Sequence, residues 1–179
     1  MTSYRWNDIM NYITEKMTML GEKNMDIHIR TAKLEDYNAV ETIMKQVHQL
    51  HVHWRPDVYR QQETILPLEE FEQAIKEQAF FVAEGGGCIV GILGLIYRHV
   101  ETPVHVTKDI IFIDSMAVEE QYRGKGIGHA FFDFLKKLKE EKGYDAIELQ
   151  VNAKNQAAYT MYKNYGFKEK SINMELLEK

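Results

Sequence analysis

At 179 residues, 45% hydrophobic and 27% charged, the chain is long enough for one soluble domain with a proper core, and no second domain is needed. The formal net charge of −5 argues against a general nucleic-acid binder, which needs a basic surface to release counterions, and suits cationic substrates. Cys88 stands alone, which excludes a disulfide framework and a thiolate metal cluster and points to a reducing, cytoplasmic compartment; no run approaches the roughly 20 apolar residues that cross a bilayer, so no membrane partner is expected.

Residues 1–24 differ from the rest. Trp6, Ile9, Met10, Tyr12, Ile13, Met17 and Leu20 suit one side of a helix, so this stretch reads as a helical extension ahead of a domain over 25–179. The domain opens with a short alternating strand, Asp26 to Arg30. A helix is expected from Leu34 to about Leu50, with Val40, Ile43, Met44 and Val47 at helical spacing and Glu35 and Asp36 favouring its start.

The stretch from His48 to Tyr59 is chemically unusual. His48, His51 and His53 have 3-then-2 spacing across a helix end with no cysteine nearby, so no metal is expected. Trp54 and Tyr59 offer cation-binding faces and Asp57 a carboxylate, which suits a substrate wall. A helix end closed by Pro56, with Trp54 packed in the core, explains the same residues.

A second helix is expected from Leu68 to Gln78, then strands over 79–83 and 88–97 joined in a hairpin through Gly85, Gly86 and Gly87. Arg98 to Lys108 breaks the apolar pattern and is expected to loop out. Asp109 to Val118 is a near-continuous apolar run, as in a strand buried on both faces. Asp114 interrupts the face that Ile110, Phe112, Met116 and Val118 are expected to share.

The centre of the chain follows that strand. Gly124, Gly126 and Gly128 carry no Cβ to hold a ligand's phosphates away, and the amphipathic helix after them brings unpaired first-turn N–H groups. Those donors, the positive helix end, Arg123 and Lys125 converge into an anion cradle. A dinucleotide fingerprint fails, because His129 stands where its third glycine belongs; a nucleoside-triphosphate loop fails, because no Ser or Thr follows Gly124-Lys125. Downstream, Asp145 to Val151 alternates as a strand. A helix from Asn155 to about Asn164 stops at Gly166, and residues 171–177 suit a last strand.

Gln121-x-x-Gly124-x-Gly126, with Asn155, Ala158, Tyr162 and Gly166-Phe167 downstream, resembles the motif set of the GNAT acyltransferase superfamily, covering roughly residues 110–168. The resemblance implies a mixed α/β fold with a central twisted sheet flanked by helices. It also implies transfer of an acetyl group from acetyl-CoA to a primary amine through a tetrahedral intermediate. Carried over, cofactor contacts fall on Met116, Ala117 and Val118, on Arg123, Gly124, Lys125, Gly126, Ile127, Gly128 and His129, and on Asn155, Ala158 and Tyr162. Met116 N–H would polarise the thioester carbonyl, and Tyr162 would protonate the leaving sulfur. Where some members carry a glutamate base, this chain has Gln150. Asp114 is the substitute favoured here, read as a buried carboxylate with a raised pKa, ahead of Asp109 and Glu148; a water relay without a single base stays open. Trp54, Asp57 and Tyr59 are expected on the acceptor side. A small-molecule amine is favoured, with a protein or peptide N-terminus as the other acceptor and a noncatalytic acyl-CoA-binding domain as the other class; a homodimer stays open.

Overall fold

The computed structural model describes residues 26–177, so the helical extension expected over residues 1–24 lies outside the described residues. Five strands form one sheet in chain order: β1 (Ile27–Thr31), β2 (Phe80–Gly85), β3 (Cys88–Thr102), β4 (His105–Val118) and β5 (Ala146–Leu149). The first four run antiparallel, and β5 runs parallel to β4. That makes a mixed sheet. A parallel neighbour needs a crossover, here α3 (Ile127–Lys142), which carries the chain from the end of β4 back to the start of β5.

Helices cover both faces. On one, α1 (Tyr37–Trp54) and α2 (Leu68–Lys76) bury Val40, Ile43 and Phe71 against Phe80, Val82, Ile92 and Ala117. On the other, α3 and α4 (Gln156–Tyr165) pack around Phe131, Phe132 and Leu135 against Phe81, Leu93, Ile111 and Ile113. The α1–α2 connection is pinned rather than loose: the buried Glu41 carboxylate accepts the N–H groups of Ile65 (2.8 Å) and Leu66 (3.0 Å), and Tyr37 Oη donates to Leu66 O (2.8 Å).

Several sequence expectations shift. Helix α1 begins through a 3₁₀ turn, Leu34–Asp36, and runs on to Trp54, ending just ahead of Pro56. The stretch Arg98–Lys108 is not a loop: β3 continues to Thr102 and β4 starts at His105. Its polar residues hold the ribbon together where it leaves the core. Arg98 lies over the Phe112 ring (3.4 Å to its centroid), His99 Nδ1 bonds Asp109 Oδ1 (2.7 Å), and Thr102 Oγ1 bonds His105 Nδ1 (2.6 Å). The strand expected over 171–177 does not form, since that segment pairs with no strand among the described residues.

At the start of the domain, Arg30 grips Asp36 through two bonds (2.7 and 3.0 Å) and Glu84 through Nε (2.9 Å). Lys33 N–H also donates to Asp36 (2.7 Å). Burial pushes the Asp36 carboxyl up, but the guanidinium and the backbone donor outweigh it and hold the group below the usual aspartate value. This stabilisation is full above about pH 4, the unfolded aspartate value, and is lost as pH falls through the depressed folded one. Asp36→Asn should therefore cost on the order of 2–3 kcal/mol at pH 7 in urea unfolding, and the gap from the parent should close in strong acid.

Candidate active site

The site begins with one surplus residue in β4. Gly94 pairs with Ser115 and Leu95 with Ile113, which leaves Asp114 without a counterpart on β3. Such a bulge shifts the side-chain alternation by one. Before it, Ile111 and Ile113 face α3 and α4; after it, Met116 and Val118 do. The face expected to join Ile110 and Phe112 with Met116 and Val118 is therefore split at Asp114. A Cβ on Gly94 would come within 2.5 Å of Ser115 Oγ, so the partner strand has a glycine where the bulge presses closest.

Past the bulge the sheet opens. Glu119 N–H donates to Val90 O (3.0 Å) across the β3–β4 ladder. Successive residues of an antiparallel strand turn their polar groups to opposite edges, so Ala117 and Ser115 face β3 while Val118 and Met116 face the other way. On that side β5 pairs only with Ile110–Ile113. Arg123 Nε donates to the Val118 carbonyl (3.2 Å), and Met116 N–H faces the gap with no strand partner among the described residues.

The glycine loop leads from this gap into α3. Gly124 (φ +78°) and Gly126 (φ +82°) are left-handed, and a Cβ built on either meets nothing within 4 Å. Their conformation requires glycine, and the space over them is free for a ligand. Among the described residues no acceptor takes the N–H groups of Gly124, Lys125 or Gly126, and no side chain caps α3. Lys125 Nζ sits over the Tyr122 ring (4.8 Å), and His129 lies exposed on the first turn. Free donors, a helix start and two cations suit the diphosphate of a coenzyme. Gly128 also lets α3 sit close to α4, since a Cβ there would meet Met161 Sδ at 3.2 Å. Ile127 is buried in the core beneath the cradle.

Asn155 caps α4, its Oδ1 accepting Ala158 N–H (3.1 Å). One turn from the helix end, Tyr162 packs edge-on against Phe132 and Phe167, both at 5.8 Å. Burial pushes its phenol above the ordinary tyrosine value. The hydroxyl has no hydrogen-bond partner among the described residues and is not sealed from solvent, so it remains a free donor.

On the opposite face, a cleft of about 430 Å³ opens between α1, α2 and the bulge. Asp114 and Ser115 line it beside Phe80 and Leu95, facing Glu69, Glu70 and Glu77, and among the described residues it has no lysine or arginine in its lining. Asp114 is exposed there, not buried as expected, because the bulge turns it into the cleft. Glu69 and Glu70 on α2 and Glu77 at its C-terminal cap are not singled out by the sequence. Their i, i+1, i+8 spacing looks like the solvent edge of any amphipathic helix, and only the packing of α2 beside β4 shows what they face.

The other expected acceptor residues lie apart from this cleft. Asp57 is held by Arg55 (2.6 to 3.1 Å), which lowers its pKa and neutralises its charge; Arg55 also bonds Glu175 (2.6 Å). Trp54 and Tyr59 flank His51 at 5.7 and 5.1 Å, with Tyr59 stacked on it. His48 Nε2 bonds Arg60 O, and no metal-binding group of three or more His, Cys, Asp or Glu occurs among the described residues. Of the weaker base candidates, Asp109 bonds His99 and Glu148 pairs with Lys170.

The model of the Acetyltransferase (GNAT) family matches residues 44–167, which spans the bulge, the glycine loop and Tyr162. The chain belongs to this family. An N-alpha-acetyltransferase of Sulfurisphaera tokodaii is 33% identical over 161 residues, 85% of this chain and 86% of the relative. Mouse N-acetyltransferase 8F1 is 32% identical over 90 residues, half of this chain but only 39% of its own length. A mutant of the Bacillus halodurans protein BH1408 superposes with a TM-score of 0.77 at 28% identity, covering 84% of this chain and 99% of that one.

This GNAT chain is thus an acetyltransferase whose gap, cradle and cleft meet around the end of β4. Its tyrosine is set to stay protonated. In ¹³C-tyrosine NMR, the resonance missing from Tyr162→Phe should titrate above pH 10 in the parent and hold constant from pH 6 to 9; a midpoint at or below 10 would remove the burial argument.

Proposed function

We propose that this GNAT chain acetylates a cationic primary amine, using acetyl-CoA as donor, and that the amine enters the acidic cleft beside Asp114. The observation that carries this reading is the cleft itself: among the described residues its lining has four carboxylates and no cation, and it opens at the same bulge that frees the edge of β4. Bound acetyl-CoA supplies a thioester whose acyl carbon an amine attacks directly. The free N–H groups of Gly124, Lys125 and Gly126, with Arg123 and Lys125, hold its diphosphate, and the open edge at Met116 and Val118 orients its arm. Asn155 and Ala158 shape the wall of that gap through the cap at the start of α4, and Ala117, bonded to β3, holds the strand on which Met116 and Val118 stand.

Acyl transfer needs an oxyanion donor, a proton for the departing thiolate and a neutral amine. Met116 N–H, free on the gap side, is the donor; Tyr162, protonated across the physiological range, gives the proton. Asp114 takes the proton from the ammonium, directly or through water held by Ser115, since both line the cleft. Cys88, exposed and unpaired, fits a cytoplasmic setting.

A second acceptor has its own support: the relative matched over most of its length is named an N-alpha-acetyltransferase, so a protein N-terminus is the other reading. Both share the chemistry above and differ in what the cleft grips. A noncatalytic domain would bind acetyl-CoA yet release no free thiol with any amine.

Two measurements test the reading. By calorimetry, Gly126→Glu should lose acetyl-CoA binding while keeping its fold. Tyr162→Phe should still bind but lose roughly a hundredfold or more in kcat, the range for a general acid. Parent-like behaviour of both variants would sink these assignments. For the acceptor, Glu69→Gln combined with Glu70→Gln and Glu77→Gln should raise KM for diamines and polyamines at least tenfold with kcat held. If diamines release no thiol from the parent and N-terminal peptides do, the protein acceptor is the right one.

A further inference from the structure

We propose that Gln46 is a positioning residue for the coenzyme: its side-chain amide clamps helix α1 to the turn that leads into the glycine loop. This rests on the reading of that loop as the cradle for the acetyl-CoA diphosphate. Gln46 Oε1 accepts the N–H of Glu120 (3.2 Å), and Gln46 Nε2 donates to Oε1 of Glu119 (3.4 Å). Only one orientation of the amide serves both partners, because the N–H needs an acceptor and the carboxylate needs a donor. Glu119 completes the clamp from the other side. Its Oε2 accepts Gln121 N–H (2.9 Å), which makes it the N-cap of the 3₁₀ turn Glu120–Tyr122, and its own N–H bonds Val90 O on β3 (3.0 Å). One carboxylate thus holds the turn with one oxygen and α1 with the other.

The turn sets where the groups of the cradle point. Arg123 is its C-cap, and Lys125 Nζ rests over the ring of Tyr122, the last residue of the turn (4.8 Å). Beyond it Gly124, Lys125 and Gly126 are exposed, and a Cβ on either glycine would meet nothing within 4 Å among the described residues. The direction of the loop is therefore fixed from its two ends. Buried Ile127 anchors the end at α3, while Tyr122 against the core, Val90 and Gln46 anchor the end at the turn. Donors that are already aimed cost less to order when a ligand arrives, so an anchor at the turn is felt in affinity for the coenzyme. Helix α1 is a firm point to anchor to: Val40 and Ile43 are buried against Phe80, Val82 and Ile92, and Met44, two residues before Gln46, lines the acidic cleft. The clamp ties the cradle to the helix that walls the cleft. Two hydrogen bonds near the surface contribute little to global stability, so their loss shows in the local loop first.

Calorimetry with acetyl-CoA and urea unfolding without it test the clamp on the full chain. Gln46→Leu removes both bonds and keeps the bulk of the side chain; it should weaken acetyl-CoA binding roughly five- to twentyfold, as expected for two ordinary hydrogen bonds, and leave the urea midpoint close to that of the parent. Gln46→Glu sets a second carboxylate against Glu119 and should weaken binding at least as much. Joining Gln46→Glu to Glu119→Gln exchanges the two groups: the carboxylate at 46 accepts from Glu120 N–H and from the amide at 119, whose oxygen keeps Gln121 N–H. That pair should return the affinity to within about threefold of the parent. Parent-like affinity in Gln46→Leu overturns the proposal, and so does a loss that the exchanged pair fails to repair, which makes Gln46 a packing residue only. Should Gln46→Leu fail to fold, the comparison of Gln46→Glu with the exchanged pair decides. Gly126→Glu separates the clamp from the cradle: if it binds like the parent, cradle and clamp fall together, whereas if it loses binding and Gln46→Leu does not, the clamp alone falls.

Discussion

The surplus residue at Asp114 sets the geometry on which everything else rests. A strand that kept its alternation through 105–118 would present one continuous face to each helical layer, and the ladder to β5 would have no reason to end at Ile113. With the extra residue, β4 turns Asp114 and Ser115 toward the α1–α2 face and Met116 and Val118 toward α3 and α4. The same step leaves an edge of β4 unpaired inside the sheet. A cleft on one face and a gap on the other thus share a single cause.

The surroundings are built to tolerate that irregularity. Gly94 gives way where Ser115 approaches, and Glu41 holds Ile65 and Leu66 so that the far wall of the cleft stays in place. Each of these is a local constraint imposed by a buried polar group or a missing side chain. Buried hydrogen bonds of this kind contribute modestly when made and cost far more when one partner is lost. The arrangement around the bulge therefore has few cheap alternatives.

Much of this was legible in the residues. The order of strand, glycine loop and helix, the stop at Gly166 and the β2–β3 turn all follow from rules that act over a few residues. What escaped was whatever depends on a neighbour distant in sequence. Asp114 reads as an odd carboxylate on an apolar face, because a bulge is visible only against the partner strand. The ribbon from Arg98 to Lys108 looks like a loop, because its stability comes from cross-strand pairs such as His99 with Asp109 rather than from an apolar face. Asp57 looks free until Arg55, two residues earlier, is seen to turn back onto it. Alternation in 171–177 is real as a pattern, but a pattern does not say which edge, or whose, a strand will join.

Gly128 against Met161 has a wider meaning than its single contact suggests. Helix α3 begins at the glycine loop and α4 carries Tyr162, and where the two meet the Met161 thioether fills the space that a Cβ on residue 128 would need. A larger residue at 128 would have to displace that thioether, and with it the turn of α4 in which Tyr162 is the next residue. Methionine is the apolar side chain best able to take up a small shift, so the contact is close without being rigid. Gly128 thus sets how near the two helices come, and one adjustable sulfur sets how much that distance can give.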